Sequence, residues 1–210
     1  MKQYVIDTNL FFNMGSGLGY GTKTEGVVKA VTTEARKAKK DVVLITSPRI
    51  VEEFLSFFDD KNQSFIVEFL SVLEVKTPDA AHLSLSATVC YELVSDIRER
   101  SYRGLRIGEE EIEAAGRAFM GTQKLQAQEF QKKTGEFIRG FRDRYRNATR
   151  TGFLDSLGDL DLILLAKEQD AHLVSADEGV VRWGRIFGVK EVTPEVFGIH
   201  LKQAANLHRE

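Results

Sequence analysis

The sequence predicts an α/β protein: a central, mainly parallel sheet flanked by helices, with a helical insertion interrupting it. Three observations carry this. Short β-branched runs alternate with helical periodicity toward both ends of the chain. Between about residues 78 and 150 the alternation stops and only helical patterning remains. The 210 residues are 42% hydrophobic and 29% charged, an ordinary globular composition that excludes disordered, collagen-like and disulfide-scaffold classes.

The strands are taken in order. Residues 3–6, 42–46, 72–75, 172–175 and 190–193 have strand length and strand residue types. After the second, Ser47-Pro48 sets an N-cap hydroxyl before a proline at the first helical position. Ile50, Val51, Phe54, Leu55 and Phe58 then recur at helical spacing, which predicts an amphipathic helix. A βαβ succession implies a parallel sheet, and ligands of such sheets bind at the carboxyl ends of the strands. The residues just after each strand are therefore the ones to inspect.

In the insertion, Phe130, Phe137, Phe141 and Tyr145 mark an apolar stripe on a helix from about Thr122 to about Arg150. Such a helix is roughly 40 Å long, so it is expected to project from the body. A projecting stripe cannot be buried against its own domain, so a second copy of the chain is the expected partner, with oligomerisation through residues 83–140. The expected organisation is an α/β body of residues 1–78 and 150–210 around a helical insertion, 79–149, for oligomerisation.

Charge is segregated along the chain. Residues 117–150 hold nine Lys/Arg against three Asp/Glu, whereas the whole chain carries −2. A basic block attracts phosphate backbones, although a solvated helix face has the same composition. No apolar run approaches the ~20 residues needed to span a bilayer, and the start of the chain lacks a basic region with a cleavage site, so a cytoplasmic protein is expected. The single cysteine, Cys90, reads as a small core residue. Any metal must sit on oxygen.

Asp7 ends the first strand and Asp177 follows a later one. The position of Asp7 is also a natural helix cap or turn. Between them, Asp155 and Asp159 are four apart and share a face if the helix there includes both. Like charges at that spacing repel unless a cation or the positive helix end compensates. Asp161 falls about 200° further round than Asp159 and faces elsewhere. Asp7, Asp155, Asp159 and Asp177 together make an all-oxygen set suited to Mg²⁺ or Mn²⁺. Such ions activate water and stabilise the leaving oxygen in phosphodiester hydrolysis. Glu53 reads equally as an outer carboxylate or a surface residue.

Ile6-Asp-Thr-Asn-Leu-Phe, the Asp155/Asp159 segment and Val174-Ser-Ala-Asp-Glu-Gly resemble the PIN-domain nucleases. Arg103-Gly-Leu-Arg-Ile-Gly-Glu-Glu, the stretch from Arg142 to Ser156, and Asp161-Leu-Ile-Leu-Leu-Ala-Lys-Glu are similar to the HARP-type RNA-free ribonuclease P, also called RNA ligase partner protein. The likeness covers essentially the whole chain. It implies a PIN-like fold, removal of the 5′ leader of precursor tRNA with divalent metal, and dimers building a larger homo-oligomer through the insertion. The family's four acidic positions fall on Asp7, Asp155, Asp159 and Asp177, and its RNA-contacting arginines on Arg142 and Arg146. With Arg150 these form a ridge at i, i+4 and i+8, one residue round from the Phe137/Phe141/Tyr145 stripe.

The remaining signals have plainer readings. Glycines 15, 17, 19 and 21 form a run more glycine-rich than the family leads one to expect; it lacks phosphate-loop spacing and reads as a flexible loop. His82, His172, His200 and His208 show no ligand or nucleophile spacing. Asp7-Thr8-Asn9 lacks the second aspartate of phosphoaspartate enzymes. Trp183 reads as core, and Glu109-Glu110-Glu111 as a solvated face. Two other functions stay open: a PIN ribonuclease acting on another RNA, against which the insertion argues, and a non-catalytic RNA-binding partner or scaffold, against which the four aspartates argue.

Overall fold

The computed structural model describes residues 1–13, 15, 17–121, 125–150, 152–154 and 156–207. The chain divides into two compact units, Met1–Ser86 with Leu154–Glu210, and Ala87–Phe153. The strands are β1 (Lys2–Ile6), β2 (Val42–Thr46), β3 (Leu73–Val75), β4 (His172–Val174) and β5 (Lys190–Glu191). The helices are α1 (Thr24–Lys37), α2 (Pro48–Ser56), α3 (Ser64–Leu70), α4 (Ala87–Phe119), α5 (Ala127–Arg150), α6 (Leu157–Glu168), α7 (Glu178–Ile186) and α8 (Pro194–Asn206). All strands fall where the β-branched runs predict them, the edge strands β3 and β5 somewhat shorter.

In the first unit the strands run parallel in the order β3-β2-β1-β4-β5. β1 is central because chain growth goes to one side through β2 and β3, then to the other through β4 and β5. Successive side chains face opposite ways. Tyr4, Ile6, Leu44 and Val174 join the core shared with α1, α3 and α8. On the other face Leu173 packs so closely on α7 that a Cβ on Gly184 would lie 2.8 Å from its side chain. Ser47 caps α2 by accepting from the Ile50 N–H at 3.3 Å, with Pro48 in the first turn, as the sequence predicts. Trp183 is buried.

The second unit is an antiparallel pair, because contacts descend α4 as they climb α5. Phe119 meets Phe130 and Phe137, Arg144 binds Glu111 at 2.7 Å and also Glu110, the Tyr145 ring lies on Gly104, and Arg100 stacks on Phe153 at 3.7 Å. A Cβ at Gly104 would stand 2.5 Å from Tyr145, so the missing side chain is what lets the ring approach.

Several expectations change. The helix begins at Ala127; Thr122, where the sequence places its start, is outside the described residues. Its aromatic stripe turns toward α4, with Phe130 and Phe137 on Phe119 and Tyr145 on Gly104, although Phe130 and Tyr145 stay partly exposed. Tyr91, Val94, Tyr102, Leu105 and Ile112 of α4 are exposed as well. Cys90 is exposed: the helix turns Val89 inward and its neighbour out. Glu110 and Glu111 are not a free acidic face, since they hold Arg144. The glycine run is anchored. Leu18 is buried, and Lys202 donates to the Gly19 carbonyl at 2.9 Å. Gly17, Gly19 and Gly21 take positive φ, which explains the local glycine content. Of the histidines, His200 meets the Tyr4 hydroxyl at 3.0 Å, His172 stacks near Tyr4, and His82 pairs with Asp79; His208 is outside the described residues.

Two helix glycines give a stability test of opposite sign. A Cβ at Gly198 would lie 2.3 Å from the Leu18 carbonyl oxygen, whereas one at Gly26 meets nothing within 4 Å. Gly198→Ala is expected to cost about 1–3 kcal/mol through the backbone clash. Gly26→Ala should gain about 0.5–1 kcal/mol from helix propensity. Urea unfolding of both variants checks the pair, and equal effects would contradict the packing described.

Candidate active site

The site is set by strand register. β1 and β4 pair Ile6 with Val174, so Asp7 and Ser175 leave the sheet side by side at its carboxyl edge. The Asp7 N–H still donates to the Val174 carbonyl at 3.0 Å. Here the sheet changes its direction of growth, the place where open parallel sheets take ligands.

Asp7 is 1% exposed. Its Oδ1 accepts from the Asn9 N–H at 2.9 Å and its Oδ2 from the Ser175 hydroxyl at 2.7 Å. Its pKa is raised to about 6: burial is the largest cause, the two hydrogen bonds oppose it, and the charges of Glu53 and Asp177 add to the rise. Ser175 has a second task, because its Oγ accepts from the Asp177 N–H at 3.0 Å. One hydroxyl thus links the two strand-end aspartates. Asp177 caps α7, its Oδ1 accepting from the Gly179 and Val180 N–H groups at 2.7 and 3.0 Å. This cap uses Oδ1 and leaves Oδ2 out of it.

Asp159 lies in the first turn of α6, its N–H bound to the capping hydroxyl of Ser156 at 3.0 Å. Because Ser156 takes the cap, the helix starts at Leu157 and does not include position 155. The expectation of a face shared by Asp155 and Asp159 rests on Asp155, which lies outside the described residues. Among the described residues no group of three or more His, Cys, Asp or Glu side chains is placed to hold a metal ion. What the structure shows is Asp7 linked through Ser175 to the Asp177 backbone, with the charges of Glu53 and Asp177 acting on Asp7. Asp161 does face away from Asp159, pairing with Arg49.

Arg142, Arg146 and Arg150 are exposed on α5 in the second unit. Their neighbour Arg144 is spent on Glu110 and Glu111, which hold it firmly charged. The residue that sequence reasoning missed is Ser175. The only signal for it was its position two before Asp177, since a buried serine carries no periodicity.

A family model described as PINc domain ribonuclease matches residues 3–206. The curated protein "RNA-free ribonuclease P" of Methanocaldococcus jannaschii is 32% identical, over 96% of this chain and 91% of its own length. Those of Thermococcus kodakarensis and Hyperthermus butylicus, with the same name, are 32% and 35% identical over 93% and 94% of this chain and 91% and 86% of theirs.

The buried carboxylate predicts a pH-dependent cost. A folded-state pKa near 6 against 3.8 unfolded means that folding favours the protonated acid. Stability from this group is full below pH 3.8, falls as pH rises through 6, and is then lower by about 3 kcal/mol. Asp7→Asn removes the charge while Ser175 can still bond the amide. In chelator the variant should melt above wild type at pH 7.5, and the gap should close toward pH 4. Equal melting temperatures at pH 7.5 would refute the assigned burial cost.

Proposed function

Since the chain belongs to the PINc domain ribonuclease family, among relatives named RNA-free ribonuclease P, we propose that it is a protein-only ribonuclease P, an endoribonuclease that removes the 5′ leader of precursor tRNA. The observation that carries this reading is the extent of the likeness. It runs from residue 3 to 206 and so includes the helical unit as well as the sheet.

Asp7, Asp155, Asp159 and Asp177 are proposed to hold Mg²⁺ or Mn²⁺. The support is a donor set of carboxylate oxygens without imidazole or thiolate, and a buried Asp7 whose ionisation is opposed by its surroundings. The bound ion would supply a more acidic water and stabilisation of charge on the leaving oxygen. The protein's own groups do the positioning. Asn9 and Ser175 fix Asp7, and the start of α7 fixes Asp177, so these carboxylates need not reorganise when charge develops. Hydrolysis leaves a 3′-hydroxyl on the leader and a 5′-phosphate on the tRNA.

Arg142, Arg146 and Arg150 are proposed to grip backbone phosphate of the tRNA. Their exposure on one ridge of α5 supports this. The insertion is proposed to make homo-oligomers, dimers building a larger assembly, because α4 exposes an apolar row at helical spacing, Tyr91, Val94, Tyr102, Leu105 and Ile112. No helix among the described residues is long and apolar enough to cross a membrane, which supports action in the cytoplasm.

Purified protein incubated with a precursor tRNA should release the leader with Mg²⁺ and not with chelator; binding without release in both would leave a scaffold. Asp7→Asn should abolish cleavage and leave tRNA affinity unchanged, and near wild-type cleavage by that variant would remove Asp7 from the site. Arg146→Ala should flatten the log–log salt dependence of binding by about one unit, the share of a single phosphate partner, read from titrations at several KCl concentrations.

A further inference from the structure

Arg49 occupies the first turn of α2, and its Nη1 donates to Asp161 Oδ2 at 2.7 Å. The partners are unequal. The carboxylate side chain is 10% exposed and the guanidinium side chain 53%. Among the described residues no other group engages Arg49, so most of its five N–H donors face solvent. An ion pair with one end in water contributes little to stability, and burying a carboxylate carries a desolvation penalty. Asp161 precedes Leu162–Ala166, all buried, where an apolar residue would pack at less cost. Stability does not account for the pair; orientation of the guanidinium does.

Its position says what it is oriented toward. α2 starts at the carboxyl end of β2, on the same sheet edge that presents Asp7 and Ser175. Arg49 and Glu53 are one turn apart on one face of α2, and the Glu53 charge acts on Asp7. Thr8, beside Asp7, donates to the Ile50 carbonyl at 3.5 Å. Gly158, next to Asp159, lies so near Ile50 that a Cβ there would stand 3.0 Å from its side chain. Through Ile50 the start of α2 is thus held against both the segment after β1 and the start of α6, and Arg49 stands beside that junction.

We propose that Arg49, aimed by Asp161, binds a backbone phosphate of the RNA substrate beside the acidic edge. The assignment rests on the ribonuclease reading above and adds a specific contact to it. A polyanion approaching several carboxylates is repelled. A planar fork already fixed on one side can accept phosphate oxygens on the other in two parallel hydrogen bonds, and so seat the strand at the cleavage edge.

The test uses the full chain and a precursor tRNA, with binding measured in chelator at several KCl concentrations and single-turnover cleavage in Mg²⁺. Arg49→Ala is expected to lower the salt slope by about one unit and to slow cleavage about tenfold or more, the effect of removing one bidentate grip. Arg49→Lys should keep the slope but cleave slowly, because an ammonium cannot reproduce the fork. Asp161→Asn should likewise keep the slope and lose rate, the charge being present but unaimed. Unchanged slope and rate in Arg49→Ala overturn the proposal, as does a lost rate with unchanged slope and a matching fall in melting temperature, which makes the pair scaffold. If Arg49→Ala fails to fold, wild-type cleavage by Arg49→Lys overturns it. Wild-type leader release decides the ribonuclease reading separately, and the binding slopes test Arg49 even if that reading fails.

Discussion

A carboxylate buried at the end of the central strand is the constraint on which the site depends. The strand order puts β1 in the middle of the sheet, so Asp7 emerges where protein surrounds it on both sides. Water cannot solvate it, and the chain answers with two donors, one from the backbone at Asn9 and one from Ser175. These do not fully compensate, and its pKa stays raised. A domain has about 5–15 kcal/mol of net stability, so retaining such a group is a substantial cost. Sites that bind charge are where proteins tolerate costs of this kind.

Structural roles and the proposed chemical ones would coincide at this edge rather than compete. Asp177 is a helix cap, and Asp7 accepts from the backbone two residues on. Both are the ordinary uses of aspartate after a strand. In each, the backbone fixes one oxygen and thereby fixes where the other can be. Ser175 extends this by linking one aspartate to the backbone of the other, so strand register alone positions both. A site assembled from caps needs no separate scaffold to hold it.

The sequence made the sheet legible because buried parallel strands are short β-branched runs, and it located Asp7 and Asp177 because ligands gather at strand ends. It was less informative wherever tertiary partners decide. The spacing around Asp159 did not show that Ser156 takes the cap and that the helix starts at Leu157. Cys90 looked apolar in context but lies on the outer side of α4. The glycine run looked loose because the contacts fixing it, from Lys202 and against Gly198, come from a helix about 180 residues away. Ser175 and Arg49 left almost no trace, since their roles rest on single side-chain contacts across the fold.

The helical unit shows why a count of charges needs the structure beside it. Nine basic residues in 117–150 read as one phosphate-binding block, yet the fold has already committed several. Arg144 holds Glu110 and Glu111, Arg117 pairs with Glu113, and Lys133 reaches the Ala118 carbonyl and stacks over Phe119. The Arg144 and Lys133 contacts join α4 to α5, so removing either would disturb the hairpin before it disturbed a ligand, whereas the Arg117 pair lies within α4. Arg142 and Arg146 flank Arg144 along the sequence, but they project to a different side of α5, where among the described residues no acidic partner from α4 meets them. The separation follows from helix geometry. Residues two apart differ by about 200° around the axis, so one short basic stretch supplies a cation to the hairpin seam and two to the opposite side, and only the latter remain available to a polyanion.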